Sequence, residues 1–241
     1  MRHIMCLAAA GFVALGEAPL AAAEETSDEV RHVEELPLFH MSKTELDYAP
    51  HDDGLFSWDV DGWIGGDVER VWLRSEGEHA DGEFEEAEVQ AYYGWNVATF
   101  WDALVGLRQD FEPRSETYLA AGVVGLAPYF FETEASLFVS TEADVSLRLE
   151  QSLDLPITQS LIAEPHVEAN LFAQDVEEIG VGAGISDVEL GLQLRYEITR
   201  KFAPYVDAVW SRKLGETASL ARAEGEDPEE TTIRLGLRFW F

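Results

Sequence analysis

The chain is short of cysteine, of basic residues, of methionine and of long hydrophobic runs, and each shortage narrows what it can be. Its single cysteine, Cys6, lies at the very start, so the rest of the chain has neither disulfides nor thiolate metal sites. Sixteen Lys and Arg stand against 47 Asp and Glu, a formal charge of −31. Such a field repels nucleic acid, which is therefore not an expected partner. Past the first residues no stretch reaches the ~18 consecutive apolar residues that a membrane helix needs. Gly-rich phosphate loops and His-x-x-x-His pairs are missing. Ser136 and Ser160 share a wall with His166 by parity alone, which does not place a nucleophile beside a base, so covalent catalysis is not expected. Apolar residues nevertheless make up 46% of the chain, too many for a disordered polyanion.

The start reads as a secretory signal. Arg2 supplies the positive region, Ile4 to Leu15 the short apolar region, and Ala21-Ala22-Ala23 the small residues before cleavage at Glu24. A signal peptide is thus expected over residues 1–23. Residues 24–54 are acidic and polar, carry Pro37, Pro50 and Gly54, and have little periodicity. They are expected to form a short disordered tail in the periplasm.

From residue 55 onward apolar residues recur at every second position, the period of a strand. Val188, Leu190, Leu192, Leu194, Tyr196 and Ile198 alternate with Glu189, Gln193, Arg195 and Glu197. Ile233, Leu235, Leu237, Phe239 and Phe241 alternate with Arg234, Gly236 and Arg238. This reading gives about ten strands, within a range of eight to twelve: 57–75, 84–97, 102–112, 117–127, 129–141, 143–154, 158–173, 186–199, 203–213 and 231–241. The first changes phase near Gly65-Gly66, where a bulge or break is expected. Tight turns (97–101, 127–129, 154–158, 199–203) contrast with longer loops near 75–84, 173–186 and 213–231. Trp95, Trp101, Tyr129, Phe130, Trp240 and Phe241 crowd the strand ends, as in the aromatic girdles of outer-membrane barrels. The expected fold is therefore all-β: a transmembrane, antiparallel, up-and-down β-barrel over residues 55–241, in the outer membrane of a Gram-negative cell. Its apolar face meets outer-membrane lipid. A final strand ending in Phe241 resembles the signal read by barrel-assembly machinery, an expected partner. Closure is required because an open edge in lipid leaves backbone groups unpaired.

The polar face of these strands carries many ionisable groups. Arg108, Arg148, Arg195, Arg234 and Arg238 share it by parity with Glu132, Glu134, Glu150 and Glu189, and the plain expectation is a salt-bridged lumen. Glu164, His166 and Glu168 alternate on one strand and project to one face, where an imidazole between two carboxylates suits Cu(II) or Zn. A second candidate metal site is His40-Met41 together with His51 in the tail, since thioether suits Cu(I) and imidazole suits Cu(II).

Several stretches are similar to the copper resistance protein B family of outer-membrane proteins. They are Gly125 to Ala135 (GLAPYFFETEA), Leu194 to Ile198 followed by Arg200 to Tyr205, Gly215-Glu216-Thr217-Ala218, Trp63 to Asp67, Arg70-Val71-Trp72, Glu76-Gly77-Glu78, and Trp101-Asp102-Ala103 with Gly106-Leu107-Arg108. The resemblance spans residues 55–241. It implies a role in copper resistance and homeostasis, copper as the bound or transported ion, and periplasmic copper proteins as partners. The family often carries a Met- and His-rich segment before the barrel. Here residues 24–54 hold one Met and His32, His40 and His51, which shifts metal handling toward the acidic lumen. The rival reading is a structural or adhesive barrel with a plugged, salt-bridged lumen and no metal role.

Overall fold

The computed structural model describes residues 38–50, 54–80 and 82–241. The signal segment, most of the expected tail, and His51 lie outside these residues. Twelve long antiparallel strands close into one barrel. They are β1 (Phe39–Ala49), β2 (Leu55–Gly65), β3 (Glu69–Ala80), β4 (Glu83–Ala98), β5 (Trp101–Glu112), β6 (Glu116–Ala127), β7 (Phe131–Ser140), β8 (Val145–Ser152), β10 (Leu161–Phe172), β11 (Gly184–Tyr196), β12 (Phe202–Lys213) and β13 (Glu229–Trp240). A two-residue piece, β9 (Leu155–Pro156), adds to the edge of β10 beyond β8. Each long strand pairs with the next, and β13 pairs with β1, Leu237 opposite Leu46, so the sheet has no open edge.

Twelve lies at the top of the expected range of eight to twelve, and the two strands beyond the central ten arise at the N-terminal side. The stretch 57–75 is a hairpin, not one strand. Gly65 and Gly66 turn the chain, the Gly66 N–H donating to the Glu69 carbonyl at 2.9 Å. A side chain at Gly65 would run into the backbone of Glu69 and Arg70, so the turn closes only around glycine. The second extra strand is β1, which occupies residues expected to be disordered tail. Its outward positions His40, Ser42 and Thr44 are weakly apolar, and only Leu46 and Tyr48 follow them, too short an alternation to mark a strand. Its inward Lys43 and Glu45 are instead held by partners on neighbouring strands: Asp59 at 3.4 Å from Lys43, and Arg238 against Glu45. The loop expected at 75–84 shrinks to a turn, because β3 runs to Ala80 and β4 starts at Glu83.

The barrel has two unlike ends. Both ends of the described chain, Phe39 and Phe241, lie at one, where the Ser42 N–H donates to the Phe241 carbonyl at 2.9 Å. The opposite, loop end carries the two longest connections. One, 173–183, holds a short 3-10 turn at Glu177–Ile179, and the other, 214–228, holds helix α1 (Gly215–Glu224). Helix α1 buries Thr217, Ala218 and Ala221, and ends at Gly225, whose φ of 92° suits a residue without Cβ.

The outer face is a band of exposed aliphatics between two aromatic belts. Val105, Leu107, Leu119, Leu190, Leu192 and Leu235 belong to the band. Phe100, Tyr129, Phe130, Trp95 and the stacked pair Phe202–Phe239 (5.2 Å) ring the terminal end. Tyr48, Phe56, Phe84 and Phe111 ring the loop end. Contiguous exposed apolar surface on this scale is a face for lipid. Leu192, 54% exposed at mid-height, tests it. Leu192→Arg should lower the folding free energy in lipid by about 2–4 kcal/mol, read from urea unfolding in vesicles; a loss under about 0.5 kcal/mol would mean this face does not meet hydrocarbon.

Candidate functional site

Parity sends every second side chain of the twelve strands inward. On β3–β7 the inward set includes a packed apolar wall of Trp72, Tyr92, Leu104, Ala120 and Phe138. Elsewhere the inward face is ionic. Toward the terminal end it is filled: Arg74 pairs with Asp61 (2.7 Å) and Glu134, Arg195 with Glu164 and Asp154, and Arg238 with Glu164 (2.8 Å) and Glu45. Above this floor a cavity of about 1310 Å³ reaches the loop end, and carboxylates outnumber Lys and Arg in its lining by more than three to one.

The cross-strand register arranges these carboxylates in rows. Glu45, Asp59, Glu76, Glu88, Asp110 and Glu116 stand directly opposite one another on β1 to β6. Glu134, Glu150, Glu168 and Glu189 do the same on β7, β8, β10 and β11. Like charges in directly paired positions destabilise a sheet, so each row needs cations. The first row has them. Arg108 reaches Glu88 (2.7 Å) and Asp110 (2.6 Å), Arg148 crosses from β8 to Glu76 and Glu88 (3.2 Å each), and Lys43 and Arg238 close on Glu45. The second row is under-supplied. Glu134 holds Arg74 and Glu168 has Arg148 at 3.7 Å, but among the described residues Glu150 and Glu189 have no basic partner within ion-pair distance. The expected salt-bridged lumen is therefore half of the picture: one wall is paired throughout, and on the other Glu150 and Glu189 stand without a basic partner.

The mouth is partly covered. Arg114, between β5 and β6, pairs with Glu116 (3.0 Å), Glu142 (2.7 Å) and Glu178, linking three connections. The hydrogen bond to Glu142 leads in raising its pKa above the ordinary arginine value. The Gly182 N–H donates to Thr217 Oγ1 at 3.0 Å, fastening the 173–183 connection to α1.

Glu164, His166 and Glu168 all lie on β10 and line the cavity, as the alternation requires. Their partners differ. Glu164 is held by Arg195 and Arg238, which leaves its oxygens little freedom to bind a metal ion. Glu168 accepts from Asn170 at 2.8 Å. His166 has no arginine beside it; its Nε2 lies 3.6 Å from Asp207 Oδ2 on β12. Among the described residues no three His, Asp or Glu side chains converge as a preformed metal cluster. His40 and Met41 sit at the start of β1 on opposite faces, opposite Ile64 and Trp63, so in strand geometry they cannot grip one ion together. Asp207 and Gln193 were not singled out by sequence reasoning. The signal was present, because Asp207 breaks the apolar run Val206-Asp207-Ala208-Val209 at an inward position.

The family model described as copper resistance protein B precursor (CopB) matches residues 37–241. The chain belongs to this family. It is 47% identical over 187 residues to the Escherichia coli copper resistance protein B, covering 77% of this chain and 63% of that protein. It is 44% identical over 199 residues to a copper resistance protein B homolog of Pseudomonas syringae pv. tomato, covering 82% and 68%. The chain thus spans about two thirds of the length of these relatives. Among solved structures, the NanC porin aligns with a TM-score of 0.55 at 12% identity, over 82% of this chain and 98% of that one. The KdgM porin aligns at 0.51 and 10%, over 83% and 99%. At such identity the likeness concerns the fold: an outer-membrane-type barrel, within which the copper resistance protein B sequence places its own lumen chemistry.

Proposed function

We propose that this copper resistance protein B member works in copper resistance by binding copper ions in its acidic lumen and passing them through the barrel, without covalent chemistry. One observation carries the reading: the row Glu134–Glu150–Glu168–Glu189 leaves carboxylates without basic partners in a cavity open toward the loops. A low-dielectric wall carrying uncompensated negative charge concentrates cations. The β10 row Glu164–His166–Glu168 stands beside it, with His166 as the one inward imidazole among the described residues. The names of the two relatives supply the metal. On this reading the tail before β1 faces the periplasm, where soluble copper proteins would meet it, and Phe241 serves assembly into outer-membrane lipid.

The test is a deletion strain complemented with the Glu150→Gln/Glu168→Gln/Glu189→Gln triple variant. Copper tolerance should fall to that of the deletion, while the wild-type gene restores it and the heat-shifted gel mobility of the folded barrel is kept. Full tolerance with a folded triple variant would refute the lumen as the copper path. The structural-barrel reading rests on the arginine floor at the terminal end. It predicts instead a deletion strain with ordinary copper sensitivity and a leaky envelope.

A further inference from the structure

We infer that copper, as Cu(II), halts in the lumen at a site formed by His166, Asp207 and Gln193, three neighbouring strands β10, β12 and β11 each giving one donor. The inference rests on the copper reading above and deepens it by naming the resting place.

Three observations converge. First, His166 and Asp207 are two strands apart, yet Nε2 and Oδ2 are 3.6 Å from each other. The imidazole reaches across β11 because its directly paired residue there is Gly191. A Cβ at 191 would occupy the ring itself, so the glycine is what lets the imidazole lie toward β12. Second, Asp207 is 7% exposed and Gln193 5% exposed, and they are directly paired between β11 and β12. Asp207 Oδ1 and Gln193 Oε1 accept no hydrogen bond from any residue, although both side chains line the cavity. Buried acceptors left this way cost free energy unless something supplies positive charge or a proton. Third, Arg234 stands directly opposite Asp207 on β13, yet its guanidinium reaches Glu78 at 3.3 Å and makes no ion pair with Asp207, while Arg195 is engaged with Glu164 and Asp154, and Arg238 with Glu45 and Glu164. Among the described residues no Lys or Arg thus lies within ion-pair distance of Asp207, and the pocket beside it carries an imidazole nitrogen, a carboxylate and an amide oxygen.

That donor set discriminates among ions. Imidazole with oxygen donors suits Cu(II), with water in the remaining positions, while Cu(I) prefers thioether or thiolate. The one methionine of the described residues, Met41, sits at the far rim of β1. The spacing, wider than a hydrogen bond, leaves room for an ion to enter between the donors, and only one strong nitrogen ligand holds it. A site of this kind retains an ion and then releases it, as a pathway needs.

The experiment uses the full chain in detergent with His32, His40 and His51 replaced by Ala, so that His79 and His166 are the remaining imidazoles after signal removal. Cu(II) alone is titrated calorimetrically and followed by electron paramagnetic resonance. One Cu(II) should bind with a nitrogen coupling that His166→Gln removes. Asp207→Asn, which keeps the side-chain shape, should weaken Kd at least tenfold, and Gln193→Met several-fold. Glu116→Gln, on β6 and paired with Arg114, should change it less than threefold. Unchanged affinity in folded Asp207→Asn, or nitrogen coupling surviving in His166→Gln, would overturn the site. Tight binding moved by Glu189→Gln and not by Asp207→Asn would overturn it while leaving the copper lumen standing. No saturable Cu(II) in the parent protein would sink the site; only a concurrent failure of the copper-tolerance test would remove the lumen reading as well.

Discussion

Arg148→Met should cost the barrel on the order of 3 kcal/mol of folding stability. Arg148 projects from β8 and reaches across the lumen to Glu76 on β3 and Glu88 on β4, at 3.2 Å each, with Glu168 at 3.7 Å. Its side chain and that of Glu88 are only 14% and 10% exposed, so the pair is shielded from screening by bulk water. Truncation removes the positive charge and leaves Glu88 with Arg108 alone, while Glu76, directly opposite it, is left without a cation. The repulsion between paired carboxylates then goes unopposed. Methionine retains the packing on the Phe138 ring, over which the guanidinium lies at 5.7 Å, so the loss reports on charge more than on shape. Urea unfolding in lipid vesicles measures it. The double variant Arg148→Met/Glu76→Gln should recover much of the loss, because the uncompensated charge goes with it. A single variant within about 0.5 kcal/mol of wild type would mean that this cross-lumen brace is hydrated and contributes little.

The second large effect concerns what the lumen admits. In a planar bilayer the wild-type barrel should conduct weakly and prefer K⁺ to Cl⁻ by about tenfold or more. The weakness follows from the floor of Arg74, Arg195 and Arg238 with their carboxylates, and from the Trp72–Tyr92–Leu104 wall beside it. The preference follows from the Glu134–Glu150–Glu168–Glu189 row, in which Glu150 and Glu189 have no basic partner within ion-pair distance. Replacing Glu150, Glu168 and Glu189 with Gln should bring the ratio down several-fold at low salt, and less at 1 M salt, where screening acts over about 3 Å. An anion-preferring or silent wild-type channel would contradict this account of the lumen. So would a ratio indifferent to the three substitutions.

The gap between ten expected strands and twelve observed has two different causes. The hairpin at Gly65-Gly66-Asp67 was legible in principle, since two glycines and an aspartate between alternating segments are a turn signal. The phase change there signals a bulge or break, and the break is a full reversal of the chain. β1 was not legible by periodicity. The first half of its outward face, His40, Ser42 and Thr44, lacks the apolar signature that Leu46 and Tyr48 carry, and its place in the sheet depends on Glu45 meeting Arg238, 193 positions further along the chain. The candidate site divides in the same way. His166 was found because it alternates with Glu164 and Glu168. That Glu164 is occupied by two arginines, and that Asp207 and Gln193 stand beside the imidazole, depends on strands the alternation cannot order side by side.

The sequence by itself determined which face each side chain takes, because a strand has a period of two whatever it pairs with. It also determined the sign of the lumen, from the excess of acid at inward positions, and the need for a closed ring, from the apolar outer band. Only the tertiary structure decided which inward groups become neighbours. Register along the hydrogen-bonding direction is set by the turns and by the pairing of the whole sheet, and it is this register that lines up Glu134, Glu150, Glu168 and Glu189, lays His166 across Gly191, and brings the imidazole to Asp207.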